Sequence, residues 1–136
     1  MVRTNRPKIF ITEDNVDIAE DLRNYLEKFS ISSRVFCSGI DFLREVDEGL
    51  DLAILDVNLS SMDGFQTLIE LKRRHPHIMI IVVSGENIDH NRMEALECGA
   101  DYFLPKPIDL DVLENILIEN FGIKLNRKNC NGEYYA

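Results

Sequence analysis

"AILDVNLSSMDGF", residues 53–65, carries three apolar residues straight into a carboxylate, Asp56, and then into a polar stretch closed by Asp63-Gly64. A short apolar run bounded by turn residues reads as a buried strand, and Asp-Gly reads as a turn and helix start. A charge at the end of such a strand needs a reason. A lone carboxylate is costly to bury, so Asp56 must be paired, bound to a cation, or set at an edge that water reaches.

The same theme recurs on both sides of that stretch. Apolar runs rich in strand formers occur at "KIFIT" (8–12), "SRVFC" (33–37), "DLAILD" (51–56), "HIMIIVVS" (77–84) and "DYFLP" (101–105). Helical spacing of apolar residues predicts helices over 15–29, 39–49, 64–75, 89–100 and 109–122, with Gly49, Pro76 and Gly99 at ends. Five strand–helix units in strict alternation, with strands this apolar, imply an α/β fold whose parallel sheet is covered on both faces. Right-handed crossovers at this chain length give a doubly wound, five-stranded sheet of order 2-1-3-4-5. The domain is expected over residues 7–122, with a short extension over 1–6 and a tail over 123–136 that lacks periodicity.

Composition narrows the function classes. The 136 residues are 45% hydrophobic, which suits one soluble domain. No apolar run approaches the roughly 20 residues of a membrane span, and "MVRTNRPK" has no apolar core of a secretory signal, so the cytoplasm is the expected location. Cys37, Cys98 and Cys130 are far apart and form no CxxC, which suggests neither a zinc site nor a disulfide framework. The net charge is −9. The densest basic group, "KRRH" at 72–75, falls at a helix end, where it complements the helix dipole. Direct nucleic-acid binding is therefore not expected; an acidic surface suits a protein partner or a cation.

In an open sheet of this kind ligands bind outside the carboxyl ends of the strands. There the sequence places Glu13 and Asp14 after strand 1, Asp56 at the end of strand 3, Ser84 at the end of strand 4 and Lys106 after strand 5. Three clustered carboxylates repel one another, and a divalent cation relieves that repulsion. The ligands on offer are all oxygens, which suits Mg²⁺ or Mn²⁺ rather than zinc. A hydroxyl and an ammonium are the groups wanted around a phosphoryl, and a carboxylate can act as nucleophile to give an aspartyl phosphate.

"TEDN" after strand 1, "LDVNLSSMDGF" around strand 3, "VVSGE" ending strand 4 and "GADYFLPKP" around strand 5 resemble, in order and position, the receiver domain of two-component response regulators. The resemblance covers about residues 7–122 and implies the flavodoxin-like, receiver-type form of the fold. It implies Asp56 as phosphoryl acceptor, with Mg²⁺ held by Asp14, by Glu13 through water, by Asp56 and by the backbone carbonyl of Asn58. It implies Ser84 as the hydroxyl that turns toward the phosphoryl, Lys106 as the family's lysine, Pro107 as the residue of a cis bond, and Phe103 as the aromatic switch. Asn58 and Glu86 match positions that tune hydrolysis of the aspartyl phosphate, and their identities imply a short-lived phosphoryl. A sensor histidine kinase or histidine phosphotransfer protein is the implied donor. A protein target on the face of helix 4, strand 5 and helix 5 is the implied output, with a phosphorylation-linked homodimer as one form of it. The pattern departs at Ser60, where receivers often carry proline, which would stiffen the loop.

Other readings of the same residues stand beside this one. Asp14 or Asn15 could cap the first helix; Phe103 could be ordinary core; His75, His77 and His90 fall outside the rim and read as solvated. An aspartyl-nucleophile phosphohydrolase would also use Asp56, but such enzymes often carry a second Asp two residues on, where this chain has Asn58. A pseudo-receiver that binds partners without phosphorylation would not need the full set of rim residues.

Overall fold

Five runs of strand formers pair into one parallel sheet. The computed structural model describes residues 6–58, 64–123, 127–128 and 134–135. Its strands are β1 (Ile9–Thr12), β2 (Ser33–Phe36), β3 (Leu52–Asp56), β4 (Met79–Ser84) and β5 (Tyr102–Pro105), in the order β2-β1-β3-β4-β5. Helices α1 (Val16–Glu27), α2 (Gly39–Glu45), α3 (Gly64–Arg74), α4 (Ile88–Glu97) and α5 (Leu110–Phe121) alternate with them. This is the doubly wound architecture expected from the alternation. Thr12 lies opposite Leu55, Asp56 opposite Val83 and Ser84 opposite Pro105. The carboxyl ends of β1, β3, β4 and β5 therefore finish nearly level.

Alternation along the strands divides the core in two. Ile9 and Ile11, Leu52 and Ile54, Ile81 and Val83, and Leu104 pack with Leu22 and Leu26 of α1 and Leu113, Ile116 and Leu117 of α5. Phe10, Ala53, Leu55, Ile80 and Val82 face the other way, onto Phe42 of α2, Leu68 and Leu71 of α3, and Ala95 of α4. Each fully buried Leu or Ile contributes about 1.5–3 kcal/mol against exposure. By the same alternation Ser84 and Phe103 fall on the α4 side of the sheet, while Asp56 falls on the α1 and α5 side.

Local chemistry sets the helix ends. The Asn15 side chain accepts the Ile18 N–H at 3.1 Å, and Ser38 accepts the Asp41 N–H at 3.1 Å. Asn15, not Asp14, thus caps α1. The helix predicted over 39–49 stops at Glu45, because Val46 is extended and Asp47 accepts the Gly49 N–H at 2.8 Å in an Asx turn. Helix α4 begins at Ile88, after Asn87 in the left-handed region (φ 42°). Arg127–Lys128 and Tyr134–Tyr135 form a two-residue antiparallel ladder, β6 and β7, where the sequence shows no period. Residues 1–5 of the extension, Ser60, Asp63 and Cys130 lie outside the described residues. Among the described residues, no helix is long and apolar enough to cross a membrane.

Gly64 opens α3 directly against the end of β3. A Cβ there would lie inside van der Waals contact of the Val57 Cα and 2.7 Å from the Asp56 carbonyl oxygen. Both neighbours are backbone and cannot rotate away. Gly64→Ala should therefore lower stability by about 2 kcal/mol or more in urea denaturation; an unchanged midpoint would contradict this packing.

Candidate functional site

The level strand ends bring four charged groups together. Glu13 follows β1, its N–H donating to the Phe36 carbonyl at 2.9 Å. Asp56 closes β3, its N–H donating to the Thr12 hydroxyl at 3.0 Å. Lys106 follows β5, its N–H donating to the Ser84 carbonyl at 2.8 Å, which ties the lysine's backbone to β4. The Lys106–Pro107 peptide bond is cis. The Lys106 ammonium lies 2.7 Å from Asp56 Oδ2 and 2.8 Å from Glu13 Oε1. The other Asp56 oxygen accepts the Asn58 N–H at 2.8 Å.

Glu13 and Asp56 are buried, at 4% and 2% exposure, whereas Asp14 is exposed. Burial pushes the Glu13 carboxyl above its ordinary range; the Lys106 hydrogen bond and the Asn15 N–H oppose that rise, and the negative charge of Asp56 adds to it. For Lys106 burial works to lower the pKa, but the hydrogen bonds to Asp56 and Glu13 outweigh it and hold the ammonium above its ordinary value. One cation thus serves two buried anions, and Asp14 adds a third carboxylate. Carboxylate oxygens of Glu13, Asp14 and Asp56 all lie within 4.8 Å of one another. The set is all oxygen, net negative, and open to water on the Asp14 side, which fits a hard divalent cation such as Mg²⁺.

Beside the charges lies a neutral network. The fully buried Ser84 hydroxyl sits 2.9 Å from Asn58 Oδ1 and 2.8 Å from the Glu86 carbonyl, either of which can accept its proton. Asn58 Nδ2 donates to the Glu86 carboxylate at 3.3 Å. Phe103 is half-buried under the Arg92 guanidinium, 5.2 Å from the ring centroid. Glu13, Asp14, Asp56, Asn58, Ser84, Glu86 and Lys106 are therefore assembled at one end of the sheet. The histidines are elsewhere: His75 and His77 sit beside Glu48, and His90 pairs with Glu94 on the surface of α4.

Two participants escape a reading of the sequence. Thr12 reads only as a strand end, although a hydroxyl just ahead of two acids was a usable signal. Asn91 reads as part of an ordinary helix, yet it is buried and donates from Nδ2 to the Ser84 hydroxyl at 2.9 Å and to the Glu86 carbonyl at 2.8 Å. Its spacing of four residues from the buried Ala95 places it on the inner face of α4.

A family model for the response regulator receiver domain matches residues 9–118. The transcriptional regulatory protein YxdJ of Bacillus subtilis is 35% identical over 133 residues, covering 95% of this chain and 54% of that protein. The regulatory protein VanRc of Enterococcus gallinarum is 30% identical over 112 residues, covering 80% and 48%. The chain thus spans about half the length of these two relatives. A CheY-like receiver domain from Methanospirillum hungatei superposes with a TM-score of 0.76 at 26% identity, over 84% of this chain and 95% of that one.

The shared cation makes a measurable prediction. Lys106→Met leaves Glu13 and Asp56 buried without it and should cost about 2–4 kcal/mol at neutral pH in the presence of a chelator. Ionised Glu13 is disfavoured in the fold, so the loss should shrink as pH falls through its raised pKa and the carboxyl protonates. On the alkaline side the contribution of Lys106 is complete below the ordinary lysine pKa of about 10.4 and is lost as pH rises through its raised folded value. Urea denaturation of both proteins at acid and neutral pH checks this, and an equal loss at both would contradict the pairing.

Proposed function

This chain belongs to the response regulator receiver domain family, and on that premise we propose that Asp56 accepts a phosphoryl group and that the phosphorylated chain controls a protein partner. One observation carries the reading: a buried carboxylate at a strand end, in contact with an ammonium that it shares with Glu13 and clustered with the carboxylates of Glu13 and Asp14. That layout suits transfer of an anionic group onto an anion. Lys106 offers positive charge to the incoming oxygens, and the acidic residues offer ligands for a cation.

The donor is a phosphohistidine on a sensor kinase or phosphotransfer protein. An Asp56 oxygen attacks phosphorus, the new P–O bond forms as the P–N bond breaks, and the imidazole leaves. Glu13, Asp14, Asp56 and the Asn58 carbonyl would hold Mg²⁺, which when bound supplies charge opposite the phosphoryl oxygens. An apolar groove lined by Ile18, Leu22, Pro107, Ile108 and Leu110 borders Lys106 and gives such a donor a surface beside the acceptor. The chain catalyses only its own phosphorylation and dephosphorylation. A phosphohydrolase is disfavoured because Asn58, which bonds Ser84 and Glu86, is an amide and cannot serve as general acid or base at the position two beyond Asp56.

The phosphoryl adds roughly 1.5 to 2 negative charges. Ser84 turns to donate to it, Phe103 moves into the space released, and the face of α4, β5 and α5 changes shape. Met93 and Leu96 of α4 are exposed on the helix of that face, which suits a protein target or a second copy of the chain. Asn58 and Glu86 flank the path of hydrolytic water and tune the lifetime.

Incubation with acetyl phosphate and Mg²⁺, read by intact mass, should add one phosphate to the parent chain and none to Asp56→Asn. Identical masses for the two proteins would overturn the reading. In the same assay Asn58→Ala combined with Glu86→Ala should lengthen the aspartyl phosphate lifetime roughly tenfold, because hydrolytic water loses two orienting groups. A lifetime equal to that of the parent would remove these residues from hydrolysis.

A further inference from the structure

Ser84 does not stand ready for the phosphoryl; it is held, and one of its holders is on α4. We propose that Asn91 is a positioning residue that latches Ser84 and the Glu86 carbonyl to α4 and so restrains phosphorylation of Asp56. This rests on the phosphoryl-acceptor reading above and adds to it a residue and a direction.

The geometry is specific. Asn91 is 8% exposed, and its amide donates to Ser84 Oγ at 2.9 Å and to the Glu86 carbonyl at 2.8 Å. The Ser84 hydroxyl has one proton and two acceptors in reach, Asn58 Oδ1 and the Glu86 carbonyl. Turning toward a phosphoryl takes that proton from both and takes the hydroxyl oxygen from Asn91. Asn91 thus makes a bond with Ser84 that the unphosphorylated arrangement has and the phosphorylated one lacks, and an interaction made in one state alone shifts the balance between them. The next residue, Arg92, lies over Phe103. Consecutive residues of α4 therefore grip both halves of the switch, Asn91 from inside and Arg92 from outside.

Asn91→Ala removes the donor while Ser84 keeps the Glu86 and Asn58 acceptors. Phosphorylation by acetyl phosphate with Mg²⁺, followed by intact mass, should become about 2- to 10-fold faster, the span of one net hydrogen bond. A structural effect of the truncation is separated by repeating the comparison in Ser84→Ala. Without the hydroxyl Asn91 keeps only the Glu86 carbonyl, a bond that the turn of Ser84 does not break, so Asn91→Ala should then change the rate less than about 1.5-fold, well below one hydrogen bond's worth. An unchanged or slower rate in the parent background overturns the latch, and so does an equal acceleration in both backgrounds. If the parent chain takes no phosphate at all, the acceptor reading fails and the latch falls with it; if the parent is phosphorylated and Asn91→Ala matches it, the latch alone fails.

Discussion

A single ammonium between two buried carboxylates is the constraint around which the rest of this molecule is arranged. Lys106 reaches Asp56 at 2.7 Å and Glu13 at 2.8 Å, and neither anion could be kept so nearly dry without it. Reaching both demands that β1, β3 and β5 finish at the same height, although β4 lies between β3 and β5. The ladders meet that demand, and the Lys106 N–H closes it by bonding the Ser84 carbonyl on the intervening strand. The sheet register and the charge cluster are thus one problem with one solution. The fold has to be this regular for the site to be this compact.

What the chain says of itself in sequence follows the same physics. Periodicity is a signal of burial, and the five strands and five helices are legible because each buries one face or two. "HIMIIVVS" is unmistakable since Ile80, Ile81, Val82 and Val83 are all buried between helical layers. The overreach at α2 has the same origin. Leu50 is buried and continues the apolar pattern past Glu45, but the backbone has turned, because Asp47 offers the Gly49 N–H a nearer partner than the helix does. Apolar spacing reports where side chains go, whereas a carboxylate two residues from an amide decides where the chain bends.

The charged rim was legible for a different reason. Acids and lysines at the ends of apolar runs are conspicuous, and topology converts four separate runs into one place. The neutral partners were not. Thr12 and Asn91 carry no charge, and a hydroxyl or amide inside a strand or helix is common. Their roles exist only in three dimensions: Thr12 takes the Asp56 N–H, and Asn91 crosses from α4 to the Ser84 hydroxyl. Asn15 shows the converse. Either it or Asp14 could have capped α1, and because Asn15 does so, Asp14 keeps its carboxylate for the cluster.

The order of the strands puts β5 at one edge of the sheet, with Pro105 as its last residue. The Lys106 N–H points inward, to β4, so by alternation the nitrogen of Pro105 faces the open side. A further strand arriving there would find no donor. Pro105 therefore makes this end of the β5 edge a poor template for a further backbone ladder. Contact at that end of the edge falls to side chains, which can be rearranged without breaking a backbone ladder.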